Sequence, residues 1–389
     1  MKCSNRLEYS KNLNSIAKTV GELTAQGKRL FNASSSNPLS CGMTPDKSVY
    51  SNFFSDGIMS YDPLPKGMLL AREALADYYG SCADKFYLTA STSEAYSWLF
   101  KLLGDPGDCF LVPKPGYPLF DFLAKQELVE ILPYQLEYAH PSGWFIDIDN
   151  LVTLLKSHKP KAIILINPNN PTGSYVRRDE YNAIISLCRE HDMCIIADEV
   201  FFPHRLTQEE DHISFMHCEE VPTFTLNGLS KLLCMPQVKL GWIHLSGIND
   251  PRVEDSLELI ADTFLSANIF AMSALPALLQ HAPIWIDTVR SRISGNYEYA
   301  LKALDETTVF RPRTSEGGWS LMLEVPRFLP DDEFIIHLLK EQSMYVQPGY
   351  FFDCKDSGII VPSLILPSSD FRRCISSVQE AISFLYDSL

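Results

Sequence analysis

Residues 224–242 read FTLNGLSKLLCMPQVKLGW, and they set a single lysine, Lys231, among apolar and small residues directly after a strand-like run. Leaving water disfavours an ammonium, so a lysine held there tends toward the neutral amine, a nucleophile that can condense with a carbonyl. The ordinary fate of a lysine at a strand-to-helix turn is different: its stem packs on apolar surface while its head reaches water. The choice between the two depends on what the neighbouring segments bring to it.

Outward from this stretch the same pattern recurs. FYLTAS, CFLVPKP, EILPYQL, AIILINP, CIIADEV and PTFTLNG read as apolar strands bounded by Gly, Pro and Asn, and they alternate with helical stretches such as STSEAYSWLFKLLG, YPLFDFLAKQ and RDEYNAIISLCREH. Such alternation predicts an α/β fold whose large domain has a mainly parallel sheet flanked by helices. Upstream, YDPLPKGMLLAREALADYYG places a turn at Asp62–Gly67 before a helix with Leu70, Ala74, Leu75 and Tyr78 on one face, and Ile16, Val20 and Leu23 share a face near the start. Past about residue 250 the sequence turns helix-rich, then offers short strands in WSLMLEV and IIVPSLIL and a closing helix, FRRCISSVQEAISFLYDSL. That change predicts a smaller α+β domain. The expected division is an N-terminal segment at 1–44 packing with the small domain, a large domain at 45–283 and the small domain at 284–389. At 389 residues the chain exceeds the size at which one core keeps growing, which suits this division.

Composition narrows the function classes. A formal net charge of −15 argues against a nucleic-acid partner, because phosphate binding needs Lys and Arg in excess on at least one face. No apolar run is long enough to span a bilayer, and the polar start MKCSNRLEYSKNLNS lacks the apolar core of a secretory signal; the expectation is a cytoplasmic protein with no membrane partner. The ten cysteines include no C-x-x-C pair, and His191 and His204 have no partners at zinc-finger spacing, so buried thiols and no metal are expected.

Ligands of an open α/β sheet sit beyond the carboxyl ends of its strands. Four of those ends carry chemistry: Ser91-Thr92-Ser93 opening a helix, NPNNPTG at 167–173, Asp198 after CIIA, and Lys231. Hydroxyls and N–H groups at a helix start make an anion site, although serine and threonine are also favoured there simply as caps. A carboxylate ending a buried run, as Asp198 does, needs a positive partner, and a salt bridge would satisfy it equally. One cofactor needs all four groups together: a phosphate seat, a carboxylate for a pyridine nitrogen, an amide for a ring oxygen and an imine-forming lysine. It is pyridoxal phosphate.

At these residues the sequence resembles the fold-type I, class I/II aminotransferase family over most of its length. The resemblance implies that Lys231 is the Schiff-base lysine and general acid/base, that Asp198 binds the pyridinium nitrogen, and that Asn170 contacts the ring's phenolic oxygen. It implies likewise that Tyr117 stacks on the ring and that Ser91, Thr92 and Ser93 form the phosphate loop with Ser230, while Lys239 stands where relatives usually carry a phosphate-binding arginine. Tyr61 resembles the tyrosine that reaches a neighbouring subunit's phosphate, which implies a homodimer with shared sites. Glu316–Trp319 and Gln347–Phe352 look like small-domain segments near the substrate. The implied reaction moves an amino group from an amino donor to a keto-acid acceptor.

Three positions depart from that pattern. Phe201 replaces a tyrosine, Lys239 replaces a bidentate arginine with a point charge, and Val361 stands where relatives hold the substrate carboxylate with an arginine. Arg205, Arg311, Arg313, Arg372 and Arg373 are the candidates to supply that charge; each could equally be a surface ion pair or a helix-end residue. The missing clamp keeps open a second reading, a pyridoxal-phosphate lyase, decarboxylase or cyclase. A hydrolase with Ser230 in a nucleophile elbow is weaker, since G-L-S-K-L lacks the second glycine and no histidine stands in a triad role. A cofactor-binding regulatory domain finds no helix-turn-helix extension or basic arm to support it.

Overall fold

The computed structural model describes residues 4–7, 13–54, 58, 62–207, 212–305 and 310–388. Tyr61 lies outside the described residues. Near the N-terminus, β1 (Phe31–Asn32) follows the helix Ser15–Ala25. The large sheet is then built from β2 (Phe86–Thr89), β3 (Cys109–Lys114), β4 (Glu130–Ala139), β5 (Gly143–Ile146), β6 (Ala162–Ile166), β7 (Cys194–Asp198), β8 (Thr223–Gly228) and β9 (Gly241–Ser246). Their spatial order is β2-β9-β8-β7-β6-β3-β4-β5. The five central strands run parallel, while β9 and β5 run opposite to their neighbours.

Why these segments are strands is visible in their burial. Every residue of β6, β8 and β9 is buried, as strands covered by helices on both faces require. Helices Thr92–Leu103, Phe120–Glu127 and Pro251–Phe264 contribute to the apolar cluster that holds Trp98, Phe110 and Phe224. Helices Ile148–Leu155 and Arg178–His191 contribute to the cluster that holds Leu165 and Ile195.

Register is what makes a site. Ile166 lies opposite Asp198, and Asp198 opposite Leu226. Gly228 and Thr89 both lie opposite Gly241. The carboxyl ends of β6 and β7 therefore finish level, those of β8 and β2 finish together two residues further on, and the start of β9 lies between β8 and β2.

A second sheet of four short strands, β10 (Arg311–Pro312), β11 (Leu323–Glu324), β13 (Gln347–Pro348) and β14 (Ile359–Val361), is antiparallel in the order β10-β11-β14-β13. The remaining strand, β12 (Met344–Tyr345), pairs in parallel with β1 and so ties the N-terminal segment to this part of the chain. Helices Ala282–Asp305, Asp331–Gln342 and Ser368–Asp387 enclose its core around Leu321, Ile335 and Phe371.

The expected fold class holds. Some elements differ from the sequence reading. Strand β9, whose GWIHLS run lacks alternation, and β5, only four residues long, were not anticipated. Leu70 is 52% exposed rather than on the buried face, where the expected Leu75 is joined by Ala71 and Ala76. The helix-rich stretch past about residue 250 resolves into three helices, Pro251–Phe264, Ile269–Gln280 and Ala282–Asp305.

Candidate active site

Lys231 sits on a single helical turn, Leu229–Leu232, that leaves the end of β8. The turn begins hard against β9: a Cβ on Gly228 would lie 2.9 Å from the Leu240 carbonyl oxygen, so only glycine fits there. The Lys231 Nζ lies 4.8 Å from the ring centre of Trp319 and 5.4 Å from that of Phe201. Its polar neighbour is the Ser36 carbonyl at 3.5 Å. Burial brings its pKa down to about 8, partly offset by Cys234 and Asp198. A lysine so placed carries a substantial neutral fraction near neutral pH.

Asp198 closes β7. Its Oδ2 accepts the Tyr96 hydroxyl at 3.0 Å and its Oδ1 accepts the Val200 N–H at 3.3 Å. Burial pushes its carboxyl up to about 6 against those hydrogen bonds and the charge of Lys231. Among the described residues no cation is within ion-pair distance of it. Its neighbour Glu199 turns to the other side, accepting the Ser214 hydroxyl at 2.6 Å and the Phe215 N–H at 2.7 Å, and burial pushes it up to about 7.

Six of the predicted cofactor-side residues, Ser91, Thr92, Tyr117, Asn170, Asp198 and Ser230, line one cavity of about 180 Å³ together with Lys231. Ser91 caps the helix Thr92–Leu103, its Oγ accepting the Glu94 N–H at 3.2 Å, so the capping and the anion-site readings describe the same residue. Asn170 is oriented from across the cavity, where the Ser320 hydroxyl donates to its Oδ1 at 3.0 Å. Ser93 and Lys239 are not in the cavity lining, and Lys239 is exposed in the left-handed region at φ 57°.

The opposite wall comes from distant segments: Ser36 from the loop after β1, Phe201 from the turn after β7, and Trp319 and Ser320 from the run between β10 and β11. Trp319 was anticipated through EGGW. Ser36 was not, because NASSSNPLS reads as a crossing between domains with nothing chemical in it. Among the described residues Lys231 is the only cation in the lining. The five candidate arginines are engaged elsewhere. Arg311 and Arg313 pair with Glu324, and Arg313 also with Asp356. Arg205 lies over Phe202 and Tyr175, Arg372 over Tyr299 and Arg373 over Phe31. Val361 is buried among Met322, Phe352 and Cys354 rather than in the cavity lining.

The residues present fit pyridoxal phosphate. The buried Asp198 carboxylate needs a cationic partner, which a protonated pyridine nitrogen would be. The start of the helix Thr92–Leu103 offers N–H donors for a phosphate, and Lys231 is poised to react with an aldehyde.

Comparison with known proteins agrees with this chemistry. The family model "Aminotransferase class I and II" matches residues 60–381. A tyrosine aminotransferase of Dictyostelium discoideum is 27% identical over 319 residues, covering 77% of this chain and 76% of the relative. The Homo sapiens tyrosine aminotransferase is 27% identical over 329 residues, covering 81% and 71%. Among solved structures, an alanine aminotransferase from Pyrococcus furiosus superposes with a TM-score of 0.85 at 23% identity, covering 99% of this chain and all of that one (100%).

Proposed function

The chain belongs to the class I and II aminotransferases and is a pyridoxal-phosphate-dependent aminotransferase, and from that premise we propose which of its residues do the work and on what. Family membership implies an amino acid and a keto acid as substrates. The observation that carries the residue assignment is that Lys231, Asp198, Asn170, Tyr117 and Thr92, each next to a different strand end, line the same cavity.

Pyridoxal phosphate, when bound, supplies the electron sink that makes the proton on the amine-bearing carbon labile. Lys231 takes that proton on Nζ and returns it on the other side of the transfer, which its lowered pKa suits. Asp198 keeps the ring nitrogen protonated, held in place by the Tyr96 hydroxyl. Ser91, Thr92 and Ser230 would hold the phosphate through hydroxyls and N–H groups, while Ser93 and Lys239, outside the lining, would act only from further away. Asn170 would donate to the cofactor's ring oxygen and Tyr117 would pack against the ring. Trp319 and Phe201 keep water from Lys231.

The substrate we propose has an aromatic or otherwise apolar, uncharged body. Support comes from the aromatic wall of Phe201 and Trp319 and from the tyrosine aminotransferases among its relatives. Its carboxyl group is met by hydroxyls rather than by an arginine.

We propose further that the enzyme is a cytoplasmic homodimer, divided at 1–44, 45–283 and 284–389. Among the described residues no single helix is long and apolar enough to cross a membrane. Phe54 is 74% exposed beside Phe270, their rings 6.2 Å apart, and Leu69, Leu70 and Leu265 are exposed as well. Covering each such side chain fully is worth about 1.5–3 kcal/mol.

The test is the absorption spectrum of the purified protein with and without borohydride, beside Lys231→Ala. A wild type with no reducible adduct at Lys231 would sink the assignment. A single-turnover screen of amino donors that left the aldehyde form regenerated, with ammonia or carbon dioxide released, would overturn transfer in favour of lyase chemistry.

A further inference from the structure

We propose that His204 is a positioning residue for the reaction: its ring N–H holds the helical turn that carries Lys231 and joins that turn to the segment that carries Trp319. His204 is fully buried, at 0% exposure. Its Nε2 lies 3.1 Å from the Lys231 carbonyl oxygen. A carbonyl can only accept, so the ring carries its proton on Nε2. The cations around it, Lys231 and Arg290, add to burial in keeping the imidazole neutral.

The need for such an anchor follows from the helix it touches. Four residues make one turn, whose last carbonyls have few partners within the helix. At its start the turn is fixed to β9 by the Leu229 N–H on the Leu240 carbonyl, 3.0 Å. At the lysine end the Lys231 carbonyl receives, besides His204, the Leu233 N–H from only two residues on and a long bond from the Cys234 N–H, 3.3 Å. The Leu233 and Met235 N–H groups close the turn on the Leu229 carbonyl, at 3.2 and 3.0 Å, so the imidazole is the side-chain donor that holds the carbonyl of the lysine itself.

The same residue reaches the opposite wall of the cavity. The His204 carbonyl accepts the Gly318 N–H at 2.9 Å, and the Leu206 N–H donates to the Glu316 carbonyl at 2.8 Å. This approach is close enough that a Cβ on Gly317 would lie 2.8 Å from the His204 carbonyl oxygen. The imidazole also packs on Trp319, ring centres 5.3 Å apart, and Trp319 in turn faces the Lys231 Nζ. One side chain thus fixes the lysine from below while its own backbone fixes the aromatic wall from above.

Packing does not account for the imidazole. Its Nδ1 is buried with no partner, a cost that a phenylalanine of similar shape beside Phe201 and Trp319 would not incur. What histidine adds over phenylalanine at this place is the N–H to Lys231.

The inference rests on Lys231 being the reactive lysine, and its experiment separates the two. In the holoenzyme, His204→Phe removes the donor and keeps a flat, somewhat larger ring, whereas His204→Gln keeps an N–H donor. The expected result for His204→Phe is a kcat about tenfold or more lower, with KM and melting temperature little changed, and partial recovery of kcat in His204→Gln. A kcat within about twofold of wild type in a folded His204→Phe would overturn the proposal and leave the Lys231 assignment standing. Absence of a reducible adduct in wild type would instead remove the assignment itself. Should His204→Phe fail to fold, nitrogen NMR of wild-type holoenzyme labelled at histidine decides: the Nε2–H tautomer is expected, and an Nδ1–H tautomer overturns the proposal.

Discussion

The two walls of the cavity are built by different means. The cofactor wall is made of strand ends in one sheet, and each polar group there follows a strand that the sheet's own register fixes: Ile166 opposite Asp198, Asp198 opposite Leu226. The substrate wall is assembled from Ser36, Phe201, Trp319 and Ser320, which come from three segments far apart in the chain. It is aromatic and hydroxylic, and among the described residues it contains no cation of its own. The comparison teaches that chemistry and specificity can be anchored separately: a rigid sheet edge holds the reactive groups, while loops that carry little structure of their own choose what meets them.

The sharpest way to break that division is at the sheet edge. Lys231→Ala should lower kcat by about 10⁴-fold or more in a half-reaction assay, because both the nucleophile and the proton carrier are removed. Residual turnover within about tenfold of wild type would place the chemistry elsewhere. Next in size is Asp198→Asn, which keeps the shape and the Tyr96 contact but removes the charge; a loss of about 10²-fold in kcat, with weaker retention of cofactor on dialysis, is expected. An unchanged rate would mean that the buried carboxylate serves the fold alone.

The substrate wall predicts smaller effects. Masking the carboxylate of an aromatic donor, phenylalaninamide against phenylalanine, should cost less than about tenfold in kcat/KM, since no bidentate arginine pair is lost. A penalty of about 10²-fold or more would reveal a charged clamp, supplied from a second copy or from a rearranged arginine. Ser320→Ala removes the hydroxyl that orients Asn170 across the cavity, a contact worth about 1 kcal/mol, so a loss of about fivefold in kcat/KM is expected.

The smallest effect concerns stability rather than rate. Glu199 is held at about 7, above the ordinary carboxylate value of 4.5. Between those limits the folded chain binds more protons than the unfolded one, so stability falls as pH rises from about 4.5 to 7. Glu199→Gln should flatten that fall by on the order of 3 °C in melting temperature, and an equally steep profile in the variant would assign the slope to other groups.

How far the sequence could be read follows the same line. The α/β class was legible, and so was the convergence of Lys231, Asp198 and Asn170 on one cavity, because each lies at the end of an apolar run with a turn signal beside it. Glu199 and His204 were not singled out for the site, since nothing local distinguishes a buried carboxylate or imidazole from a surface one. Leu70 was placed on the wrong face because helical spacing gives the period of a stripe but not which of two apolar sides meets the core. Val361 was read as a gap in the substrate clamp; in the fold its side chain lies in a core cluster, and the cavity wall is made by other residues.

By itself the sequence determined the parallel sheet and set Lys231, Asp198 and Asn170 beside its strand ends, because strand burial and strand-end position are local properties of short segments. Only the tertiary structure decided that Ser36 faces Lys231, that Ser320 orients Asn170, that the candidate arginines are engaged elsewhere and that His204 bonds to the lysine's carbonyl. The contacts of Ser36, Ser320 and His204 join residues from 27 to 195 positions apart, and separations of that kind are closed by packing of whole elements, which no local pattern encodes.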